Sequence, residues 1–253
     1  MPRAQRHFLP GYAWHITHRC HKKEFLLKFS IDRQRWLHWL FEAKKRYRLS
    51  ILNYTVTSNH IHLLVMNNKD PQAIPKSMQL IAGRTAQEFN RRKDRKGAFW
   101  EDRYHATIVE TGEHLVQCIA YMDCNMVRAG VVKHPSEWPH SGYDEIQSPR
   151  QRYTLIDHGL LTSLLGLRSP ADLQKHHREY VGAYLSRIDR SRESKWSESI
   201  AVGSRDFIEK VHRELGVRAK GRRIAGSSAD SRLCEPQSPY TGNLGGKKRD
   251  LRS

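Results

Sequence analysis

The sequence predicts an α+β fold built on an antiparallel sheet of the ferredoxin-like type, βαββαβ, followed by one further helix that carries the catalytic residues. Segments of alternating apolar and polar residues predict the strands. Stretches with apolar residues every three or four positions separate them and predict the helices. The predicted organisation is a catalytic domain over 1–145, a mostly helical extension over 146–217, and a disordered basic tail over 218–253.

The first strand and the first helix follow a Pro-Gly turn. Residues 12–17 are rich in aromatic and β-branched side chains, which is typical of a strand. From 33 to 48, apolar residues such as Trp36 and Leu40 recur at helical spacing with basic residues on the opposite side. These two elements supply the first βα unit of the sheet.

A hairpin comes next and places two histidines on one strand. Residues 51–57 alternate as a strand, turn at Ser58-Asn59, and return through an apolar run. Successive strand residues point to opposite faces, so His60 and His62 project from the same face and could share one divalent cation. Such pairs are more often solvated or hydrogen-bonded, so the spacing alone leaves the metal site open.

The second helix is predicted over 73–92 and leads into a strongly basic segment. Residues 91–97 hold five Lys or Arg side chains and are followed by Phe99 and Trp100. Aromatic rings interleaved with cations suit single-stranded nucleic acid, because bases stack on rings and phosphates meet cations. The alternative is a solvated turn with both aromatic rings in the core, and the pattern favours neither. Residues 104–110 then alternate as a fourth strand.

The last helix of the catalytic domain is predicted from Thr111 to about Gly130. Tyr121 and Asn125 lie four residues apart on it and therefore share a face. A phenol is a weak nucleophile, but a nearby cation favours its ionised form. The carbonyl oxygen of Asn125 would suit Mg²⁺ or Mn²⁺ beside two imidazoles. Spacing alone leaves Tyr54 and Tyr104 as competing nucleophiles.

The composition indicates a partner that carries phosphates. The chain has 44 Lys and Arg against 26 Asp and Glu, a formal net charge of +18, and its pI is near 10.0. Nucleic acid is the commonest reason for such a surplus. No long apolar helix or lipidation motif points to a membrane.

Four cysteines without a Cys-x-x-Cys pair argue against a zinc knuckle or a disulfide scaffold. A cytoplasmic location is expected, since the N-terminus lacks a signal-peptide pattern.

Three motifs, in this order and spacing, resemble the IS200-like tyrosine transposases of the HUH, single-tyrosine class. The likeness is greatest to the branch associated with repetitive extragenic palindromes (REP) and covers about residues 8–145. Met126 stands where many relatives have proline, which removes no candidate ligand. The motifs are Asn59-His60-Ile61-His62-Leu63-Leu64, Phe99-Trp100-Glu101-Asp102-Arg103-Tyr104 and Tyr121-Met122-Asp123-Cys124-Asn125-Met126-Val127-Arg128-Ala129-Gly130.

The resemblance implies a metal-dependent enzyme that nicks and joins single-stranded DNA near hairpins through a 5′-phosphotyrosine. It assigns Tyr121 as the nucleophile and His60, His62 and Asn125 as ligands of Mg²⁺ or Mn²⁺. Single-stranded or hairpin DNA is the expected partner, and the protein is expected to act as a monomer or homodimer. The candidate nucleic-acid contacts are Arg84, Arg91, Arg92, Arg95, Trp100, Arg103 and Arg128.

Two other classes of function compete with this interpretation. One is a DNA-binding regulator on the same scaffold that no longer cuts, although a dead enzyme has no reason to keep all four site residues. The other is an RNA-binding protein, for which no RNP-type aromatic motif is present.

Overall fold

The computed structural model describes residues 8–67, 70–189, 191 and 193–235. The strands are β1 Tyr12–Arg19, β2 Ser50–Val56, β3 His60–Asn67, β4 His105–Val109, β5 Ser199–Gly203, β6 Arg223–Gly226 and β7 Ser231–Cys234. The helices are α1 Ser30–Tyr47, α2 Ala73–Arg92, α3 Glu113–Asp123, α4 Asn125–Arg128, α5 Tyr143–Gln147, α6 His158–Leu164, α7 Pro170–Leu185, α8 Lys195–Glu198 and α9 Arg205–Leu215.

The strands form one sheet in the order β2-β3-β1-β4-β5-β7-β6. Its first four strands are antiparallel neighbours with the ferredoxin-like order, which confirms the predicted α+β fold. β5 then lies parallel to β4, and β7 and β6 follow as an antiparallel pair. The extension therefore enlarges the sheet of the catalytic domain.

The C-terminal part of the chain differs from the prediction of a mostly helical extension and a disordered tail. α6, α7 and α9 form as helices, but β5, β6 and β7 are strands, and β6 and β7 lie inside the predicted tail. These strands are four or five residues long, so they show too little alternation to be recognised. β5 is stabilised by pairing with β4, β7 by pairing with β5, and β6 by pairing with β7. Residues 236–253 of the predicted tail lie outside the described residues.

Strand register places the histidine pair beside the end of β1. Thr17 pairs with His62 and Arg19 with His60. Because β3 alternates, Ile61 and Leu63 point to the other face, where they are fully buried. The hydrophobic core thus occupies one face of this strand end and leaves the histidines on the other.

The predicted final helix is divided in two at Cys124. Its backbone angles, φ −80° and ψ 6°, end α3, and α4 begins at Asn125. The buried carboxylate of Asp123 fixes the end of α3, because it accepts hydrogen bonds from Asn53 Nδ2 at 3.0 Å and His177 Nε2 at 2.7 Å.

Among the described residues, no helix has both the length and the apolar character needed to cross a bilayer.

Candidate active site

One cavity of about 540 Å³ joins the start of β3 to the end of α3. His60 and His62 enter its lining from β3, and Tyr121 and Asn125 enter from α3 and α4. Arg128 also lines it. The histidine pair and Tyr121, about sixty positions apart in the sequence, therefore line the same cavity. The resemblance implies this arrangement for a catalytic site.

His62 is the middle residue in a series of hydrogen-bonded side chains. Its Nε2 is 3.1 Å from Asn125 Nδ2, and its Nδ1 is 2.9 Å from His15 Nε2. The two histidine rings stack with their centroids 5.1 Å apart. His15 Nδ1 in turn lies 2.8 Å from the carbonyl oxygen of Trp196. Sequence reasoning missed His15; its position on β1, on the face of Thr17, was the available signal.

Both central histidines are neutral at neutral pH. Burial lowers the pKa of His15 to about 3. Burial also holds the pKa of His62 well below its ordinary value, and the nearby His60 and His15 rings and Arg128 add to the effect. Each ring consequently carries one N–H and one lone pair, as a metal ligand or its hydrogen-bond partner requires.

His60 is half-buried and is held through its Nδ1. Asn59 Oδ1 lies 2.7 Å from that nitrogen, and Thr57 Oγ1 lies 2.9 Å from it. The Thr57 hydroxyl donates to the carbonyl oxygen of His60. Both oxygens can therefore accept from an Nδ1–H of His60, which in the neutral ring leaves the lone pair on Nε2.

Tyr121 is enclosed by aromatic and cationic groups, with 3% of its surface exposed. Its ring lies edge-on to His62 at 5.7 Å and tilted against Trp196 at 6.0 Å. The guanidinium of Arg128 lies over the ring, 3.8 Å from its centroid. Arg128 and Tyr121 therefore form a close cation–π contact.

Three residues of the extension form a hydrogen-bond network with Arg128, and sequence reasoning did not identify them. Arg128 Nη1 donates to Tyr184 Oη at 2.8 Å, and that hydroxyl donates to Glu193 Oε1 at 2.6 Å. The indole Nε1 of Trp196 donates to Glu193 Oε2 at 3.0 Å. The carboxylate thus connects Trp196 with Arg128, and both of these groups lie against the Tyr121 ring. These residues carry no local motif that could have revealed them.

The structure separates the candidate nucleic-acid contacts into groups. Arg103 and Arg128 line the cavity. Trp100 stacks on His18 with centroids 4.0 Å apart, and its indole donates to the Ala82 carbonyl. Phe99 is buried in the core. Arg84, Arg91, Arg92 and Arg95 lie outside the cavity: Arg84 covers the Trp39 ring, Arg91 and Arg92 line a second cavity between α1 and α2, and Arg95 pairs with Glu24.

The competing tyrosines do not line the cavity. Tyr54 is fully buried and donates to Glu145 Oε2 at 3.0 Å, and burial is the main cause that raises its pKa above the ordinary value. Tyr104 packs near His18, with ring centroids 6.2 Å apart. Among the tyrosines considered from the sequence, Tyr121 alone lies against the histidine pair.

Two solved structures resemble the fold. One, described as a REP-associated tyrosine transposase bound to a REP hairpin, is 19% identical with a TM-score of 0.50, over 59% of this chain and 87% of the other. A protein from Deinococcus radiodurans, described as a candidate transposase, is 15% identical with a TM-score of 0.33, over 51% and 97%. No curated protein matches the chain.

Residues 10–123 match the family model described as "Transposase IS200 like". The match includes β1 to β4, both histidines of β3 and Tyr121, and it ends two residues before Asn125. Residues 10–123, slightly less than half of the chain, are thus similar to the IS200-like transposases.

Proposed function

We propose that this protein is a metal-dependent transesterase of the REP-associated branch that nicks and joins single-stranded DNA next to hairpins. Tyr121 is the nucleophile, and His60, His62 and Asn125 hold Mg²⁺ or Mn²⁺. The single observation that carries the proposal is the meeting of these four side chains at one cavity of about 540 Å³.

The residues present fit a divalent cation. Both histidines use Nδ1 for protein hydrogen bonds, which leaves Nε2 as the ligand atom. Among the described residues, no group of three His, Cys, Asp or Glu side chains is placed to hold a metal. The site therefore depends on Asn125 as third ligand, and its amide must present Oδ1 rather than Nδ2. When bound, the ion would act as a Lewis acid on a phosphate oxygen.

The reaction that follows is a transfer of one phosphodiester bond. Tyr121 Oη attacks phosphorus and forms a P–O bond, the P–O3′ bond breaks, and the 3′ oxygen takes a proton to become a free hydroxyl. The phosphotyrosine stays joined to the 5′ end, so attack by a 3′ hydroxyl rejoins DNA and releases Tyr121. Arg128 supports the first step because its positive charge lies against the ring whose hydroxyl oxygen attacks.

DNA is the proposed partner because charge and cavity lining agree. The net charge is +18, and Arg19 and Arg103 line the cavity where phosphates would lie. The hairpin-bound solved structure supports the same class of ligand. Arg91, Arg92, Arg95 and Trp100 are proposed to contact DNA that continues beyond the cavity.

A covalent-adduct assay tests the proposal. Purified protein, Mn²⁺ and a single strand flanking a hairpin should give an adduct that survives SDS. Tyr121→Phe should abolish it, whereas Tyr104→Phe, a matched change outside the cavity, should leave it. Removing the metal with EDTA should stop the reaction, and adding Mn²⁺ back should restore it.

The alternative of a non-cleaving regulator predicts a different outcome. The wild-type protein would then bind the same oligonucleotide but form no adduct in the presence of Mg²⁺ or of Mn²⁺. Persistence of the adduct in Tyr121→Phe would instead assign the nucleophile to another residue.

A further inference from the structure

The hydrogen bonds around His62 run in one direction. The Trp196 carbonyl oxygen, 2.8 Å from His15 Nδ1, is an acceptor, so the fully buried His15 donates its N–H there. The neutral His15 ring then has its lone pair on Nε2 and accepts from His62 Nδ1–H at 2.9 Å. The neutral His62 ring is left with its lone pair on Nε2, on the side of Asn125.

The final acceptor belongs to the C-terminal extension. A carbonyl oxygen can only accept, so it fixes the direction of every bond before it. The Trp196 side chain is fully buried in α8, and its indole is anchored on Glu193. Thr107 of β4 donates to the Ser199 carbonyl at 2.7 Å and secures the same segment to the sheet.

We propose that His15 is a positioning residue which, bound to the Trp196 carbonyl, keeps the Nε2 lone pair of His62 available to a divalent cation. The C-terminal extension therefore completes a site whose family match ends at Asp123. The inference rests on the proposed function for the metal itself, while the hydrogen-bond relay stands on the geometry of the protein alone.

The physical reason is the cost of the wrong tautomer. If the His62 proton moved to Nε2, the lone pair would be lost to the metal and would face His15 on the buried side. The two rings are fully shielded, so no solvent can compensate for a mismatched donor or acceptor. Outer partners of this kind typically change metal affinity 10- to 100-fold when removed.

Two substitutions of His15 separate its two contacts. The amide of His15→Asn occupies the place of Nδ1 and reaches the Trp196 carbonyl, but it stops short of His62. The longer His15→Gln places an amide oxygen near the Nε2 position, where it can accept from His62 Nδ1. Ser204→Ala is the matched control, because it removes a hydrogen bond between the extension and Glu110 that involves neither His15 nor His62.

Two measurements on the full-length protein report the effect without any cleavage. Long-range ¹⁵N–¹H correlation spectra of the metal-free protein identify the His62 tautomer, with the signal assigned by its loss in His62→Gln. Titration calorimetry gives the Mn²⁺ affinity. His15→Asn should mix the tautomers and weaken Mn²⁺ binding about 10- to 100-fold. His15→Gln and Ser204→Ala should keep one tautomer, with affinities within about threefold of wild type.

Two results would overturn the inference: a single Nδ1–H tautomer with unchanged affinity in His15→Asn, or an equal loss of affinity in Ser204→Ala. A wild-type protein that binds no Mn²⁺ would refute the metal-dependent function instead. The tautomer spectra would still decide whether His15 positions His62.

Discussion

Arg128 is the residue whose charge most directly affects the proposed nucleophile, since its guanidinium lies 3.8 Å from the Tyr121 ring centroid. Arg128→Gln should slow adduct formation about 100-fold, because a preorganised charge near the reacting oxygen is lost. Arg128→Lys should give an intermediate rate, since an ammonium cannot reproduce the planar contact. Single-turnover formation of the adduct measures both.

The matched control for this prediction is Arg46→Gln. Arg46 also lies over a tyrosine ring, that of Tyr47 at 5.7 Å, but on the exposed surface of α1 away from the cavity. Its substitution should leave the rate unchanged. Equal rates for Arg128→Gln and wild type would remove Arg128 from the mechanism.

His140 should make stability depend on pH. Burial, with a smaller contribution from Arg33, lowers the pKa of His140 to about 4. The unfolded chain then binds more protons than the folded chain between pH 4 and the ordinary value of 6.5. Stability is complete above pH 6.5 and falls as the pH drops toward 4. His140→Gln should show a smaller loss of urea midpoint between pH 7.5 and 5 than wild type, and an equal loss would contradict the assignment.

At this scale the sequence identified the residues that carry a local pattern. The His-x-His pair and the four-residue spacing of Tyr121 and Asn125 are visible in short windows, and all four side chains line one cavity. His15, Tyr184 and Glu193 reach the site only through tertiary contacts. A lone histidine on a strand indicates only which face of the sheet it shares, and a glutamate between helices gives no sign of its distant partner.

β5 is sensitive to added volume where it meets α9. A Cβ on Gly203 would lie 2.5 Å from Phe207 Cδ1 and 2.8 Å from Glu110 Cβ. Gly203→Ala should therefore lower the free energy of unfolding by about 1–3 kcal/mol. Gly182→Ala on α7 is the control, since no atom lies within 4 Å of its Cβ, and it should be neutral or stabilise by up to about 1 kcal/mol.

Urea unfolding of both glycine variants measures this difference. A Gly203→Ala protein as stable as wild type would mean that β5 does not pack against α9 as described.

The sequence predicts the strands and helices that are long enough to show several periods of apolar residues. It does not predict the short strands that are stabilised by pairing with neighbouring strands. β1 to β4, α1 and α2 lie where the periodicity places them. β6 and β7 have four residues each, with Ile224 and Leu233 as their apolar partners across the pair. Too few residues alternate there for any window to separate a strand from a polar tail. The helical periodicity of the sequence continues through Cys124, so it does not predict the change in backbone angles that ends α3 there.

For the whole molecule, the charge surplus predicts strongly salt-dependent binding to single-stranded DNA. Each phosphate neutralised contributes about 0.7 to the slope of log affinity against log salt for single strands. Arg103 lines the cavity and is exposed, so Arg103→Gln should reduce the slope by about that amount. Fluorescence anisotropy across a salt series measures it, and an unchanged slope would place Arg103 away from the phosphates.

The bond between His15 and the Trp196 carbonyl also has a consequence for biosynthesis. A ribosome releases the chain from its N-terminus, so both histidines emerge long before the segment that orders them. In a nascent polypeptide that ends before Trp196, His15 lacks the carbonyl oxygen that accepts its hydrogen bond. By our inference, a product truncated before Trp196 would bind the divalent cation more weakly than a chain that contains it, because nothing would fix the His62 tautomer.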